Sequence, residues 1–262
     1  MTELFRYEGD VVDIRARDLP GLKARFLVDH VPDEGVVLDI GCGGGKMLRT
    51  LARERPGAQL HGCDLKPPGE QSPSFEFRLV GNPARLPYDD RSIDTALVID
   101  VLEHVPRPDE FLREVARVVR PGGRLVAFVP AEGQRFGFYR LYRALLGDDL
   151  YVETKDHVQA FRRAEVTQLI ELQFGIEAQR YAYHFFGQLM DASFCAMLRA
   201  PVVKRMFWNE SPYHNRDRSS SLSGRAFAGA LVAANRVAWA ESTVLAAVSC
   251  TSAGVLLCAR RR

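Results

Sequence analysis

Four glycines stand within five positions in the segment DIGCGGG, which runs from Asp39 to Gly45 behind a short apolar stretch. Such a loop either provides only a tight turn or lets a nucleotide-like ligand approach backbone that side chains would otherwise cover. Asp64 follows 23 residues after Gly41, at the end of the next apolar stretch. A carboxylate at this distance can accept hydrogen bonds from both hydroxyls of a ribose, although a turn or capping residue would look the same. A nicotinamide enzyme would share both features, so these residues predict a nucleotide-type site and leave its ligand open.

Apolar stretches alternate with helix-like segments between residues 36 and 130. The stretches VVLDI, QLHGCD, FEFRLV, DTALVID and RLVAFVP are typical of buried strands, and KMLRTLARER and DEFLREVARVV are typical of helices. With a sixth strand expected after Gly175 and a seventh in VLLCAR, the alternation predicts an α/β fold with a doubly wound, mainly parallel sheet of seven strands. The ligand crevice of such a fold lies at the carboxyl ends of the strands, where the candidate residues stand.

We expect a single domain over residues 1–262, with a core over 30–185, a helical insertion over about 186–250 and a final strand over about 254–260. The uncharged segment Ser242–Cys258 is at the short end for a membrane span and carries five Ser or Thr residues. A packed helix that leads into the final strand is the better interpretation.

The formal net charge of +2 hides a basic C-terminal region, because residues 199–262 carry ten Lys or Arg against three acids. The five cysteines show no metal-binding spacing, which predicts free thiols and no zinc. The N-terminus has acids where a signal peptide would have a basic start. We therefore expect a cytoplasmic protein that could contact the inner face of a membrane peripherally.

Three further motifs follow the glycines: GNPARLPY from Gly81, DVLEHV from Asp100 and LREVARVVRPGG from Leu112. In this order and spacing the chain resembles the class I S-adenosylmethionine-dependent methyltransferases, in the branch with motifs like GDAERLPF, LEHV and LxxVxRVLRPGG. The resemblance implies a Rossmann-like methyltransferase fold and the cofactor S-adenosyl-L-methionine. Asp39 before the glycines suits the ammonium of a methionine tail, whereas the pyrophosphate of NAD would gain nothing from it.

The resemblance also implies a cofactor-binding role for twelve residues at strand ends. They are Asp39, Gly41, Cys42, Gly43, Gly45, Asp64, Leu65, Asn82, Pro83, Ala84, Asp100 and Val101. The acid and glycine backbone of the first loop would face the methionine portion, as would the backbone at the end of the fourth strand. Asp64 would hold the ribose, and Leu65 would cover one face of the adenine.

The chain departs from the family motif at Asn82 and Pro83, where the family has Asp and a residue with a backbone N–H. An Asn carbonyl can still accept from the adenine amino group, but Pro has no N–H to donate to the ring. We expect the lost contact to be replaced through Ala84 or water.

Methyl transfer to a hydroxyl benefits from a general base, and histidine is the usual choice near neutral pH. His157, in TKDHVQAF, follows the fifth strand on the side where the methyl group should emerge. It is our candidate catalytic residue, although it could instead cap a helix or order the loop, and His184 is the second choice. Glu103 and His104 could bind a divalent metal with Asp100, but packing and capping explain them at least as well, and we expect no metal.

The sequence thus predicts a methyltransferase that acts at oxygen on a small-molecule, saccharide or lipid-linked acceptor. The segment QRFGFYRLYRALLG (134–147) interleaves aromatic and basic residues, which could seat a greasy or anionic acceptor, rest on a membrane or form only an amphipathic lid. No nucleic-acid module is recognisable. The alternatives are a noncatalytic S-adenosylmethionine-binding protein and, less favoured, an NAD-dependent oxidoreductase, whose GxGxxG spacing GCGGGK lacks.

Overall fold

The computed structural model describes residues 11–68, 74–82, 84–134, 137–140, 144, 157–198 and 222–262, without the side chains of 194–198 and 222–228. Seven strands form one sheet in the order β3-β2-β1-β4-β5-β7-β6. They are β1 Gly35–Ile40, β2 Ala58–Asp64, β3 Glu76–Leu79, β4 Ile93–Ile99, β5 Val119–Pro130, β6 Phe174–Ala182 and β7 Gly254–Arg261. The first five strands run parallel, and β7 is antiparallel to both of its neighbours. The predicted doubly wound, mainly parallel sheet of seven strands is confirmed.

Six α-helices have both of their ends within the described residues. They are α1 Leu19–His30, α2 Lys46–Glu54, α3 Pro108–Val118, α4 Arg163–Glu171, α5 Phe185–Leu198 and α6 Leu222–Val244. The chain winds outward from β1 to β3 and then returns to β4 on the other side of β1. This reversal places the crevice of a doubly wound sheet above the carboxyl ends of β1 and β4.

The central strands of the sheet carry apolar side chains that alternate in direction, and they are buried on both faces. Leu38 and Val98 pack into a core that includes α3 and α4. Val37 and Leu97 point the other way, into a core that includes α1 and α2. Because both faces of the central strands are covered, the carboxyl ends of these strands are the place where polar groups can reach a ligand.

Glycine is required where β1 turns into α2. Gly41, Gly43 and Gly45 have φ values of 77°, 52° and 73°, which are left-handed conformations. A Cβ on Gly41 would lie 2.6 Å from Val101 Cγ2, and one on Gly45 would collide with the Phe75 ring. The loop therefore packs tightly against its neighbours, and α2 begins at Lys46 without a side-chain cap.

Two helices, α5 and α6, lie between β6 and β7 in the chain. Residues 199–221, within the predicted insertion, fall outside the described part. The uncharged segment Ser242–Cys258 contains the end of α6, a loop and most of β7. This agrees with its interpretation as a packed helix that leads into the final strand. None of the helices in the described part of the chain combines the length and hydropathy that crossing a bilayer requires.

Replacing Gly41 with Ala should destabilise the fold by about 1–3 kcal/mol, because the new Cβ meets Val101 and the backbone stays left-handed. Gly44→Ala is the matched control, since that residue has no atom within 4 Å of an added Cβ and no left-handed φ. Urea unfolding of both variants measures the difference, and the control should stay within about 0.5 kcal/mol of wild type. Equal stabilities of the two variants would show that the loop tolerates side chains at Gly41.

Candidate functional site

The glycine loop is tied to the end of β2 by backbone and side-chain hydrogen bonds. Gly43 N–H donates to Asp64 Oδ2 at 2.8 Å. The N–H groups of Gly41 and Cys42 donate to the Cys63 carbonyl at 2.8 and 3.2 Å. The partly exposed Asp64 carboxylate thus lies at the rim of the loop, and the structure brings the first two predicted features together.

Asp39 lies beneath this loop at the end of β1 and is only 3% exposed. Burial, reinforced by the charge of Asp64, raises the pKa of Asp39 to about 8. The buried carboxyl therefore holds its proton more firmly than a carboxyl in water. A cationic ligand at this place would favour the ionised form and would itself be attracted.

Beyond Asp64, the Leu65 side chain is 60% exposed and offers an apolar surface at the rim. Asn82 and Ala84 form a turn in which Asn82 Oδ1 accepts from Ala84 N–H at 2.9 Å. This N–H, expected as a replacement donor to a base, is already engaged within the turn. Pro83 lies outside the described residues.

Asp100 and Val101 follow β4. The Asp100 backbone has a φ of 52°, and its N–H donates to the Phe128 carbonyl at 3.1 Å. Asp100 Oδ2 lies 2.7 Å from Lys23 Nζ of α1. Val101 packs beside Gly41, so the end of β4 borders the glycine loop.

A second group of polar side chains lies after β4 and β5. The Glu103 carbonyl accepts from the N–H groups of Val158 and Gln159, both at 2.9 Å, which fixes the segment after His157 against the 3₁₀ turn Leu102–His104. His157 Nδ1 lies 2.9 Å from Glu132 Oε2, and these side chains are 9% and 4% exposed. His157 is thus almost buried and is oriented by a carboxylate.

Glu103 is 1% exposed, and neither of its carboxylate oxygens has a hydrogen-bond partner among the described residues. Its Oε1 is 4.0 Å from His157 Nε2 and 3.9 Å from His104 Nε2. Burial, followed by the charge of Asp100, raises the pKa of Glu103 well above its usual range. A neutral, protonated Glu103 is the state that this environment favours.

The candidate metal ligands are arranged differently from the set considered in the sequence. Glu103, His104 and His157 have ligand atoms within 4.8 Å of one another, whereas Asp100 is paired with Lys23. Sequence reasoning missed Glu132 and Lys23 altogether. Glu132 carried a weak signal, since it follows β5 directly, but Lys23 carried none.

His184 is fully buried, and its Nδ1 lies 2.8 Å from Thr251 Oγ1. Burial lowers the pKa of His184 and favours the neutral ring. A side chain enclosed in this way is not available to a ligand in the crevice, which makes His184 a structural residue here.

Aromatic rings gather beside α5. Phe138 and Phe185 stack edge to face with centroids 4.7 Å apart, and the centroid of Phe186 is 5.3 Å from that of Phe185. The two phenylalanines of α5 are about half exposed. Tyr139 is buried, whereas Arg140 is exposed. Arg135, Phe136, Tyr142 and Arg143 of the aromatic-basic segment lie outside the described residues.

The chain is similar in part to known methyltransferases. Residues 38–127 match the family model described as a methyltransferase domain. A demethylmenaquinone methyltransferase of Tropheryma whipplei is 38% identical over 116 residues, which are 40% of this chain and 47% of that protein. A ubiquinone biosynthesis O-methyltransferase of Paracidovorax citrulli is 35% identical over 97 residues, 33% of this chain and 40% of that one. The match thus spans less than half the length of these relatives.

The fold is also similar to that of solved structures. The [4+2]-cyclase SpnF superimposes with a TM-score of 0.57 at 19% identity, over 95% of this chain and 84% of that chain. At this identity the likeness concerns the fold alone. Since that protein is titled a cyclase, the reaction has to be argued from the site.

Replacing Asp39 with Asn should change how stability depends on pH. An Asp that titrates near pH 4 when unfolded and near 8 when folded stabilises the native state below pH 4, and this stabilisation is lost as the pH rises to 8. The stability of Asp39→Asn relative to wild type should therefore increase by about 1–3 kcal/mol between pH 5 and pH 8. Urea unfolding of both ligand-free proteins measures this, and parallel stability curves would mean that Asp39 is ionised when buried.

Proposed function

We propose that the chain is a class I S-adenosylmethionine-dependent methyltransferase that transfers the cofactor's methyl group to an oxygen of a small-molecule, saccharide or lipid-linked acceptor. The observation that carries this proposal is the meeting of Asp39, the glycine loop and Asp64 in one crevice. A nucleotide-linked cation fits these groups better than the pyrophosphate of NAD does. The family match supports the same choice.

The proposed cofactor lies along the rim from β2 to β4. Asp64 Oδ2 accepts from Gly43 N–H, whereas its Oδ1 has only a long contact of 3.3 Å from Lys66 N–H. The carboxylate thus keeps acceptor capacity for ribose hydroxyls. Leu65 would cover one face of the adenine, and the Asn82 amide would face its edge. The backbone of the glycine loop, with Asp100 and Val101, would hold the methionine portion.

In the proposed reaction, the acceptor oxygen attacks the methyl carbon in line with the carbon–sulfur bond. The new oxygen–carbon bond forms as the carbon–sulfur bond breaks, and the sulfur leaves as a neutral thioether. Because this leaving group is good, the protein mainly aligns the two reactants and excludes water. A hydroxyl acceptor must also lose its proton, which requires a base.

His157 is the proposed base. Glu132 at Nδ1 fixes the ring tautomer and stabilises the imidazolium that forms when Nε2 takes the proton. Glu103, kept neutral by burial, does not compete for that proton. The proposed mechanism uses no metal, although Nε2 faces the same place as the potential ligands Glu103 and His104.

The identity of the acceptor is proposed from the relatives and from exposed aromatic rings. The names of the two relatives contain demethylmenaquinone and ubiquinone biosynthesis, which supports an apolar ring-containing acceptor. The half-exposed rings of Phe185 and Phe186 beside Phe138 offer such a molecule a surface. A lipid-linked acceptor would also give a reason for peripheral membrane contact through the basic C-terminal region.

The alternative to an enzyme is a noncatalytic protein that binds the cofactor. Such a protein would show no turnover, so an assay of methyl transfer separates the two alternatives.

Replacing Asp64 with Ala should weaken binding of S-adenosylhomocysteine by about 1–3 kcal/mol, because hydrogen bonds from the ribose to a charged group are lost. Asp29→Ala is the matched control. This exposed Asp precedes β1 and so lies at the amino ends of the strands, away from the proposed cofactor site. Calorimetric titration measures both affinities. An unchanged affinity of the Asp64 variant would remove this residue from the cofactor site.

Replacing His157 with Gln should lower the methyl-transfer rate about 100-fold or more while the affinity for S-adenosylhomocysteine stays close to wild type. His30→Gln, near the start of β1, controls for the loss of a histidine. Turnover of methyl-labelled cofactor with phenolic, saccharide and lipid-linked acceptors provides the readout, with and without EDTA.

Two outcomes would contradict the role of His157. A wild-type rate in a folded His157→Gln protein would place the base elsewhere or indicate an acceptor that needs none. Loss of wild-type activity in EDTA, restored by a divalent cation, would make His157 a metal ligand rather than a base.

A further inference from the structure

The solvent side of α6 consists mainly of apolar residues. Val232 and Val237 are about half exposed, and Val244 is 81% exposed. Between positions 232 and 237 only Asn235 is buried, so more than half of the helix circumference faces solvent there. Further exposed positions of α6 are Gly229, Ala230, Ala233, Ala234 and Ala240. A surface helix normally carries charged and polar side chains on this side, and a contiguous apolar surface instead is typical of an interaction site.

The start of α5 extends this apolar surface. Glu241 Oε2 accepts from Phe186 N–H at 2.9 Å, which joins the first turn of α5 to the last turn of α6. Phe185, Phe186 and Leu189 of α5 are each 41–49% exposed. We call the exposed large apolar residues of the two helices the α5–α6 face, and they are Phe185, Phe186, Leu189, Val232, Val237 and Val244.

Cations border the α5–α6 face. Arg236 is exposed on α6, beside Val237. Arg17, which precedes α1 and is also exposed, has its guanidinium carbon 5.7 Å from the centroid of the Trp239 ring of α6. The sequence that joins α5 to α6, residues 199–221, carries five Lys or Arg against two acids. The surroundings of the face are therefore positively charged.

The acids of the two helices have partners within the protein. α5 and α6 contain one acid each, Asp191 and Glu241. Asp191 accepts from the hydroxyl of the buried Tyr139, and Glu241 accepts from Phe186 N–H. Both acids are only partly exposed. Among the described side chains of α5 and α6, the exposed charge is consequently positive.

The α5–α6 face begins at the crevice. The ring of Tyr183, two residues before α5, has its centroid 5.9 Å from Lys23 Nζ, and Lys23 is paired with Asp100 at the end of β4. Phe185 stacks edge to face on Phe138, which follows β5. A molecule held at this face therefore lies next to the carboxyl ends of the strands.

We propose that the α5–α6 face docks on an anionic lipid surface, with its apolar side chains between headgroups and acyl chains and with Arg17 and Arg236 at the lipid phosphates. Interfacial helices bind in this way, by combining buried apolar area with the attraction between cations and anionic lipids. Delivery of a lipid-linked acceptor past Phe185 to the crevice rests on the proposed function, whereas the docking itself does not.

A second copy of the chain fits this face less well than a lipid surface does. A closed two-fold dimer brings the same patch of both subunits together. Arg236 and Arg17 would then approach the same cations of the other copy, without an exposed acid of α5 or α6 among the described residues to pair with them. Such a juxtaposition of like charges opposes association, whereas lipid phosphates compensate the arginines.

The test is flotation of the full chain with vesicles of phosphatidylcholine alone and of phosphatidylcholine mixed equally with phosphatidylglycerol. The wild-type protein should bind the anionic vesicles preferentially and less strongly at high salt, because salt screens the arginines. Val244→Asp should weaken this binding about tenfold or more, since an apolar side chain is lost from the interface and a charge is added to it.

Leu172→Asp is the matched control. Leu172 is 63% exposed at the end of α4, before β6, and the substitution changes the net charge equally. Its binding to vesicles should match that of the wild type. Both positions are exposed, so both variants should fold and should bind S-adenosylhomocysteine as the wild type does.

The outcomes separate the docking from the proposed function. No flotation of the wild-type protein, or an equal loss in the Val244 and Leu172 variants, would overturn the docking and leave the binding of S-adenosylhomocysteine to decide the function. Flotation as expected without binding of S-adenosylhomocysteine would overturn the function alone. Sedimentation that shows a dimer of the wild type and a monomer of Val244→Asp would assign the face to a second copy and overturn the lipid proposal.

Discussion

The hydrogen bond from Gly43 N–H to the Asp64 carboxylate joins the two strand ends that form the crevice. It can form only because the chain leaves β1 through left-handed glycines that bring the backbone amide beside β2. The same path sets Gly41 against Val101 and so fixes the distance to β4. One backbone constraint thus positions the residues that are proposed to bind the ribose and the methionine end of the cofactor.

Buried carboxyl groups give this edge of the sheet its chemical character. Asp39, Glu103 and Glu132 are each less than 7% exposed. The protein tolerates their burial in two ways. Burial raises the pKa of Asp39 and of Glu103, which favours their neutral forms, whereas Glu132 is paired with His157. A cation bound at this edge would lower the pKa of these carboxyl groups and be attracted by the carboxylates it ionises, whereas a bound anion would raise their pKa further. A sulfonium cofactor matches that preference, and a pyrophosphate opposes it.

Two groups of polar side chains meet at the carboxyl end of β4. Lys23 reaches Asp100 from α1, whereas the Glu103 carbonyl, after the same strand, is bonded to the segment that carries His157. The end of β4 therefore connects the residues proposed for the methionine end of the cofactor with the proposed base. This arrangement would align the methyl group with its acceptor through a rigid strand rather than through a mobile loop.

The sequence predicted the sheet well, because strands and glycine turns are encoded by local patterns, and it correctly placed Asp64 at the end of β2. It did not predict the contacts of Lys23 with Asp100 or of Glu132 with His157, which join residues 77 and 25 positions apart. The structure also groups Glu103 and His104 with His157 rather than with Asp100, which no local pattern indicates. Folding in three dimensions decides which of several acids and histidines meet.

Binding of the unmodified protein to S-adenosylhomocysteine, compared with NADH in the same calorimetric titration, tests the central claim most directly. The account predicts saturable binding of S-adenosylhomocysteine at one site per chain and no binding of NADH. Absence of S-adenosylhomocysteine binding by the folded protein, or preferential binding of NADH, would contradict it.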